Sequence, residues 1–166
     1  MATLYTLLIA ALIPLLVGFL WYNKFSFANF WMRVSGVSEE KLKTGNVALI
    51  FLLTYVLGFF IGAAMLEVVI HQYNVFSIFA NTPGAQDPNS EIGKYIADFM
   101  EKYGRNFRTF KHGAFHGSTL GIFLATPIIW IISLFERRGF KYVLVHAGYW
   151  IVTLALMGGV ICQWAA

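Results

Sequence analysis

The chain has 166 residues, of which 58% are hydrophobic and only 12% charged, against roughly 25% charged in a soluble domain. That balance excludes an ordinary water-soluble fold, and the net charge of +4 comes without the basic, aromatic-interleaved cluster that a nucleic-acid surface needs. A single cysteine, Cys162, excludes an intrachain disulfide and any zinc-knuckle spacing.

Four stretches are long and apolar enough to cross a bilayer, which takes about 20 residues of helix. Because unpaired backbone groups are not tolerated in lipid, all four are predicted to be helical. The first covers 4–22 and carries no charge. It lacks the basic leader of a secretory signal and is too long for one, so it reads as a retained span. Pro14 is predicted to kink it. The stretch "WYNKFSFANFWMRVSG" then offers Trp21, Tyr22, Phe25, Phe27, Phe30 and Trp31 as an interfacial aromatic belt, with Lys24 and Arg33 facing lipid phosphates. Ser38 is placed to cap a short helix over "EEKL".

The second span, 46–70, holds one charge, Glu67, which is expected to face the bundle and find a partner there. A long second loop follows. Its "NTPGAQDPNS" is turn chemistry. Apolar residues then recur at helical spacing (Ile92, Ile96, Phe99, Tyr103, then Phe107 and Phe110) with basic residues between them. This predicts an amphipathic segment over about 90–110, capped by Ser90 or Asp87 and broken at Gly104. It either lies on the membrane surface or closes over the bundle mouth. The third span, 113–135, carries His116 and Pro127; the fourth, 142–164, carries His146. Gly113, Gly117 and Gly121, like Gly58 and Gly62, repeat at four, the small-residue spacing that lets helices approach closely.

An even number of spans puts both termini on one side. Loops one and three hold seven basic residues (Lys24, Arg33, Lys41, Lys43, Arg137, Arg138, Lys141), and loop two holds five (Lys94, Lys102, Arg105, Arg108, Lys111). By the positive-inside rule loops one and three face the cytoplasm, with both termini and loop two outside. The localisation expected is a bacterial inner membrane, multi-pass.

Glu67 and His71 lie four apart near the end of span two, and His112 and His116 lie four apart at the start of span three. The two pairs fall in one outer layer, at a depth that Cys162 also reaches. Carboxylate, imidazole and thiol form a ligand set for a transition metal such as zinc, iron or copper, or for haem. The same residues read first as a structural or proton-handling polar cluster, since paired histidines on a helix are common without metal and no second metal motif is present. His146 starts from the opposite side and is expected to bond a neighbouring helix. Ser118 lies near a histidine without a nucleophile-elbow pattern, so no catalytic residue is assigned.

Two segments carry a family likeness, "GFLWYNKF…FWMRVSGVSEEKL" and "LFERRGFKYVLVHAGYWIVTLALMGGVICQW". Gly18, Trp21 and Tyr22 form a turn out of helix one, followed by Trp31; His146, Ala147, Gly148 and Tyr149 precede a Met157-Gly158 pair in the last helix. In these features the chain resembles a bacterial membrane family catalogued as domain of unknown function 1761. It departs from that pattern in lacking a Pro-x-x-Phe-Gly-Lys element in loop one and in its longer loop two. The resemblance implies a four-helix membrane protein and no particular activity.

The expected fold is an all-α integral membrane four-helix bundle, a single domain over 1–166. Two functional readings stand. In the first, this is a small non-enzymatic membrane protein embedded in lipid, acting as a homo-oligomer or as accessory subunit to a membrane-protein partner through its glycine seams and aromatic belts. In the second, it is a redox or transport component holding metal or haem at Glu67, His71, His112 and His116. A channel through the bundle would rest on Thr54, Thr126, Ser133 and Thr153, which is thin support.

Overall fold

The computed structural model describes residues 1–165, and all regular structure in them is helical. Four helices or helix pairs are long and apolar enough to cross a membrane: Ala2–Trp21, Val47–Val69, Phe110–Phe135 and Phe140–Trp164.

Span one is α1 (Ala2–Ala10) and α2 (Ile13–Trp21), separated by one turn. Pro14 sits in the first turn of α2, where its missing N–H costs least. The predicted kink is therefore a break. Leu12 N–H donates to Ile9 O at 3.1 Å, one residue short of the α pattern, which frees the carbonyl of Leu8. In lipid that carbonyl needs a donor, and the Tyr55 hydroxyl of span two supplies it at 3.3 Å. Pro127 is accommodated differently. The five residues before Thr126, Gly121–Ala125, widen into a π turn, and the Thr126 hydroxyl donates to Gly121 O at 2.8 Å.

Loop one folds into α3 (Ala28–Ser35), ended by Gly36 in the left-handed conformation (φ 71°), and α4 (Glu39–Lys43), capped by Ser38 as predicted. Span two is α5 (Val47–Val69). Loop two contributes α6 (Gln72–Phe79), not anticipated in the sequence, and α7 (Glu91–Tyr103), whose cap is Ser90. Span three joins α8 (Phe110–Leu120) through the π turn to α9 (Thr126–Phe135), and span four is α10 (Phe140–Trp164).

α10 is the hub, in contact with spans one, two and three. Its apolar window is 44% buried inside the protein and that of span one 39%, against 11% for spans two and three, so the latter turn most of their surface outward. The core is Leu7, Ala10 and Val17 of span one, Met65 and Val69 of span two, and Met157, Ile161 and Cys162 of span four. Lipid is as apolar as these side chains, so close packing rather than dehydration has to join the helices. The glycines provide it. A Cβ at Gly113 would run into the carbonyl oxygen of Gly158, one at Gly117 into that of Leu154, and one at Gly121 would lie 2.6 Å from the Cα of Ile151. α8 and α10 thus meet backbone to backbone along three successive turns.

At the end where loops one and three meet, Arg138 donates from Nη1 to Ser35 O at 2.7 Å, and the Ser133 hydroxyl donates to Arg138 O at 3.0 Å. Trp21 donates to Val145 O at 3.1 Å and Tyr149 donates to Pro14 O at 2.9 Å, so span one is tied to span four by side-chain donors as well.

Candidate metal centre

The opposite end, where loop two sits, gathers three of the four residues marked as ligands in the sequence. His112 and His116 stand one turn apart on α8, whose start is set by Thr109 accepting from His112 N–H at 3.2 Å. His71 comes across from the other side. α5 stops at Val69, Ile70 is extended (φ −119°, ψ 93°), and both residues are almost fully buried. That buried corner turns the chain so that His71, the residue before α6, faces α8. Its Nε2 lies 3.0 Å from the Nε2 of His112. The His71 ring meets those of His112 and His116 edge-on, at centroid distances of 5.1 and 4.9 Å. One nitrogen from each of the three rings lies within 4.8 Å of the others.

Glu67 is placed apart from this trio. The (i, i+4) relation to His71 holds only on a continuous helix, and the corner at Ile70 breaks it. The carboxylate is exposed, with no hydrogen-bond or ion-pair partner among the described residues. Cys162 reaches the right depth but is buried, and its thiol donates to Phe107 O at 3.4 Å, toward the loop backbone rather than the imidazoles.

The loop leading into α8 shapes the surroundings. Phe107 has φ 61°, a conformation costly for a bulky residue, by about 1–3 kcal/mol. It is held there by the Cys162 thiol and by Thr109 N–H, both donating to its carbonyl. In that pose its ring stacks on His112 at 5.1 Å and 29°. Arg108 donates from Nε to Cys162 O at 2.8 Å, and Gln163 Oε1 accepts from Phe110 N–H at 3.1 Å, pinning the loop to the end of α10. Gln72 adds a staple, its amide nitrogen donating to the carbonyls of Tyr103 and Asn106 at 3.2 and 2.9 Å. Of these supporting residues only Cys162 was singled out from sequence as part of a site, and there as a candidate thiol ligand rather than as an anchor for the loop. Phe107 was visible there only as one more apolar position in the amphipathic repeat.

Chemically, the trio is a set of neutral nitrogen donors with no carboxylate or thiol among them. Nitrogens around a tetrahedral zinc, bonded at about 2.0–2.1 Å, stand about 3.3 Å apart. The His71–His112 separation of 3.0 Å is near that spacing, and His116 brings a third nitrogen within 4.8 Å of both. Three nitrogen ligands leave at least one coordination position open, as in catalytic rather than structural zinc sites.

The fourth histidine is used otherwise. His146 Nδ1 lies 3.3 Å from the Tyr22 hydroxyl, and Tyr142 packs over the same ring at 4.3 Å. Gly148 leaves room for Trp21, whose ring would stand 2.8 Å from an added Cβ. The two segments that carried the family likeness in the sequence are therefore each other's packing partners.

Neither curated proteins nor solved structures gave a match to the chain. The family model described as "Protein of unknown function (DUF1761)" matches residues 5–162, a range that includes the first contacting segment, all but the last two residues of the second and the histidine trio, and the chain belongs to that family.

Proposed function

We propose that this protein is a metal-binding membrane protein that captures a divalent transition-metal ion on His71, His112 and His116. The observation that supports it is the convergence of three imidazoles from two different spans, with nitrogens 3.0 Å apart in the closest pair and no other hydrogen-bonding partner for any of the three rings among the described residues. Three neutral nitrogens favour zinc, copper or cobalt over calcium or magnesium, which prefer oxygen. They favour an ion over haem as well, because two nitrogens at hydrogen-bonding distance leave no thickness for a macrocycle between them. The charge balance of the loops supports the trio lying on the outer membrane face.

Elemental analysis of protein purified without chelator or polyhistidine tag tests this reading. About one metal per chain is expected, lost in His112→Ala and retained in Glu67→Gln. A wild-type protein that arrives empty and takes up neither zinc nor cobalt at micromolar concentration would defeat it.

A second reading, assembly with further copies or as an accessory subunit, is supported by a different feature. Spans two, three and four line an open, apolar groove of about 400 Å³ with Ala64, Met65, Leu124, Ile128 and Trp150 among its residues. Native mass spectrometry after gentle extraction discriminates, and a bare monomer under all mild conditions would count against assembly.

A further inference from the structure

Beside the trio lies a second hollow, a cleft of about 380 Å³ lined by His71, Gln72, Val75, Phe99, Tyr103, Asn106 and Phe107. It touches the metal centre twice, through His71 itself and through Phe107, whose ring stacks on His112. Its wall is mostly aromatic and aliphatic. Phe99 and Tyr103 of α7 stand against each other with centroids 5.1 Å apart on one side, and Val75 of α6 contributes another part of the lining. The polar exceptions besides His71 are Asn106 and Gln72, and the side chain held in place by hydrogen bonds is that of Gln72. Its amide nitrogen is committed to two backbone carbonyls, which leaves its side-chain oxygen as an acceptor with no partner among the described residues.

An ion held by three imidazoles keeps a position for an exogenous ligand. Small-molecule sites are typically apolar hollows with a few placed polar groups, and this one is joined to such an ion site. Resting on the metal reading above, the geometry points to a metal-dependent binding site for a small apolar or aromatic molecule that carries an oxygen donor. The oxygen takes the open coordination position, the apolar body lies between Phe99, Tyr103 and Val75, and an N–H or O–H next to the donor meets the Gln72 oxygen. α6 and α7 are then the walls of a ligand site, and the amphipathic character of α7 is explained by the cleft on its apolar face. A lone water or chloride would satisfy the ion without any need for that wall.

Two hydroxamates with the same metal-binding head separate these cases. Benzohydroxamate carries a phenyl ring that the cleft can bury; acetohydroxamate carries a methyl group. Each is titrated into the cobalt-loaded, full-length protein in detergent and followed by the visible cobalt spectrum. Benzohydroxamate is expected to bind about tenfold or more tighter, from burial of the ring. Phe99→Ala, and independently Val75→Phe, which fills the hollow, should abolish most of that preference while leaving acetohydroxamate binding within about twofold. Equal affinity of the two probes for the wild-type protein, or a preference untouched by both variants, overturns the cleft as a ligand site while leaving metal binding intact. Failure of the wild-type protein to show a cobalt spectrum at all overturns the metal reading, and this inference with it.

Discussion

The two ends of the bundle use histidine in opposite ways. At the loop-one and loop-three end, His146 packs against the rings of Tyr22 and Tyr142, and its Nδ1 is occupied by a hydroxyl from another helix. Three further side-chain donors at this end, those of Trp21, Tyr149 and Arg138, each end on a backbone carbonyl of a neighbouring element. At the loop-two end, the three imidazoles have no hydrogen-bonding partner but one another among the described residues, and one nitrogen of each lies within 4.8 Å of the others. The difference teaches how a histidine in a membrane protein is to be read. A ring whose partner is a fixed donor or acceptor on the next helix holds the helices together, whereas rings left with only each other have donor capacity for something else.

The largest expected effect tests this contrast directly. Removing one ligand of three, as in His116→Ala, should weaken cobalt or zinc binding by about 100-fold or more, whereas His146→Ala should leave it within about twofold. Spectroscopic metal titration of both variants measures this, and equal losses would erase the distinction between the ends. A smaller effect is expected from the seam that sets the two ends apart along α8 and α10. Gly117→Ala has to push two backbones apart and should cost about 1–3 kcal/mol in a reversible unfolding assay in detergent or bicelles. Gly139→Ala, where an added Cβ meets nothing within 4 Å, is the control and should cost less, about what a poorer N-cap of α10 entails. The smallest concerns the holding end alone: Tyr149→Phe deletes one hydroxyl bonded to Pro14 O and should cost about 0.6–1 kcal/mol in the same assay, with no change in metal affinity.

Much of this arrangement was legible in the sequence, for local reasons. Apolar runs of sufficient length give the four spans; Ser38 and Ser90 cap where a serine before an acidic residue is expected to; and Gly113, Gly117 and Gly121 mark the face on which α8 meets α10. The pairing of His112 with His116 follows from helical spacing alone. What could not be read was decided by tertiary contact. The apolar run of span two stops at Ile70 in the sequence, but nothing in "LEVVIHQ" announces a sharp corner there, since no glycine or proline interrupts it. The helix ends because Val69 and Ile70 are drawn into the core, and that buried corner both delivers His71 to the trio and leaves Glu67 outside it. Likewise Pro14 and Pro127 look alike in sequence, yet one sits behind a broken helix relieved by Tyr55 and the other behind a π turn. The sequence names the prolines; their neighbours choose the remedy.

The position of α10 at the hub has a consequence for biogenesis. It follows the other three spans along the chain, so during synthesis it enters the membrane after them. Until it does, Gly113, Gly117 and Gly121 have no backbone to seat against, and the core lacks Met157, Ile161 and Cys162. Arg108 and Phe110 lack the helix end that anchors the loop into α8. Assembly is therefore expected to finish late: spans one and two can already meet through Tyr55 and Gly58, but the seat of span three and the core close only when α10 arrives.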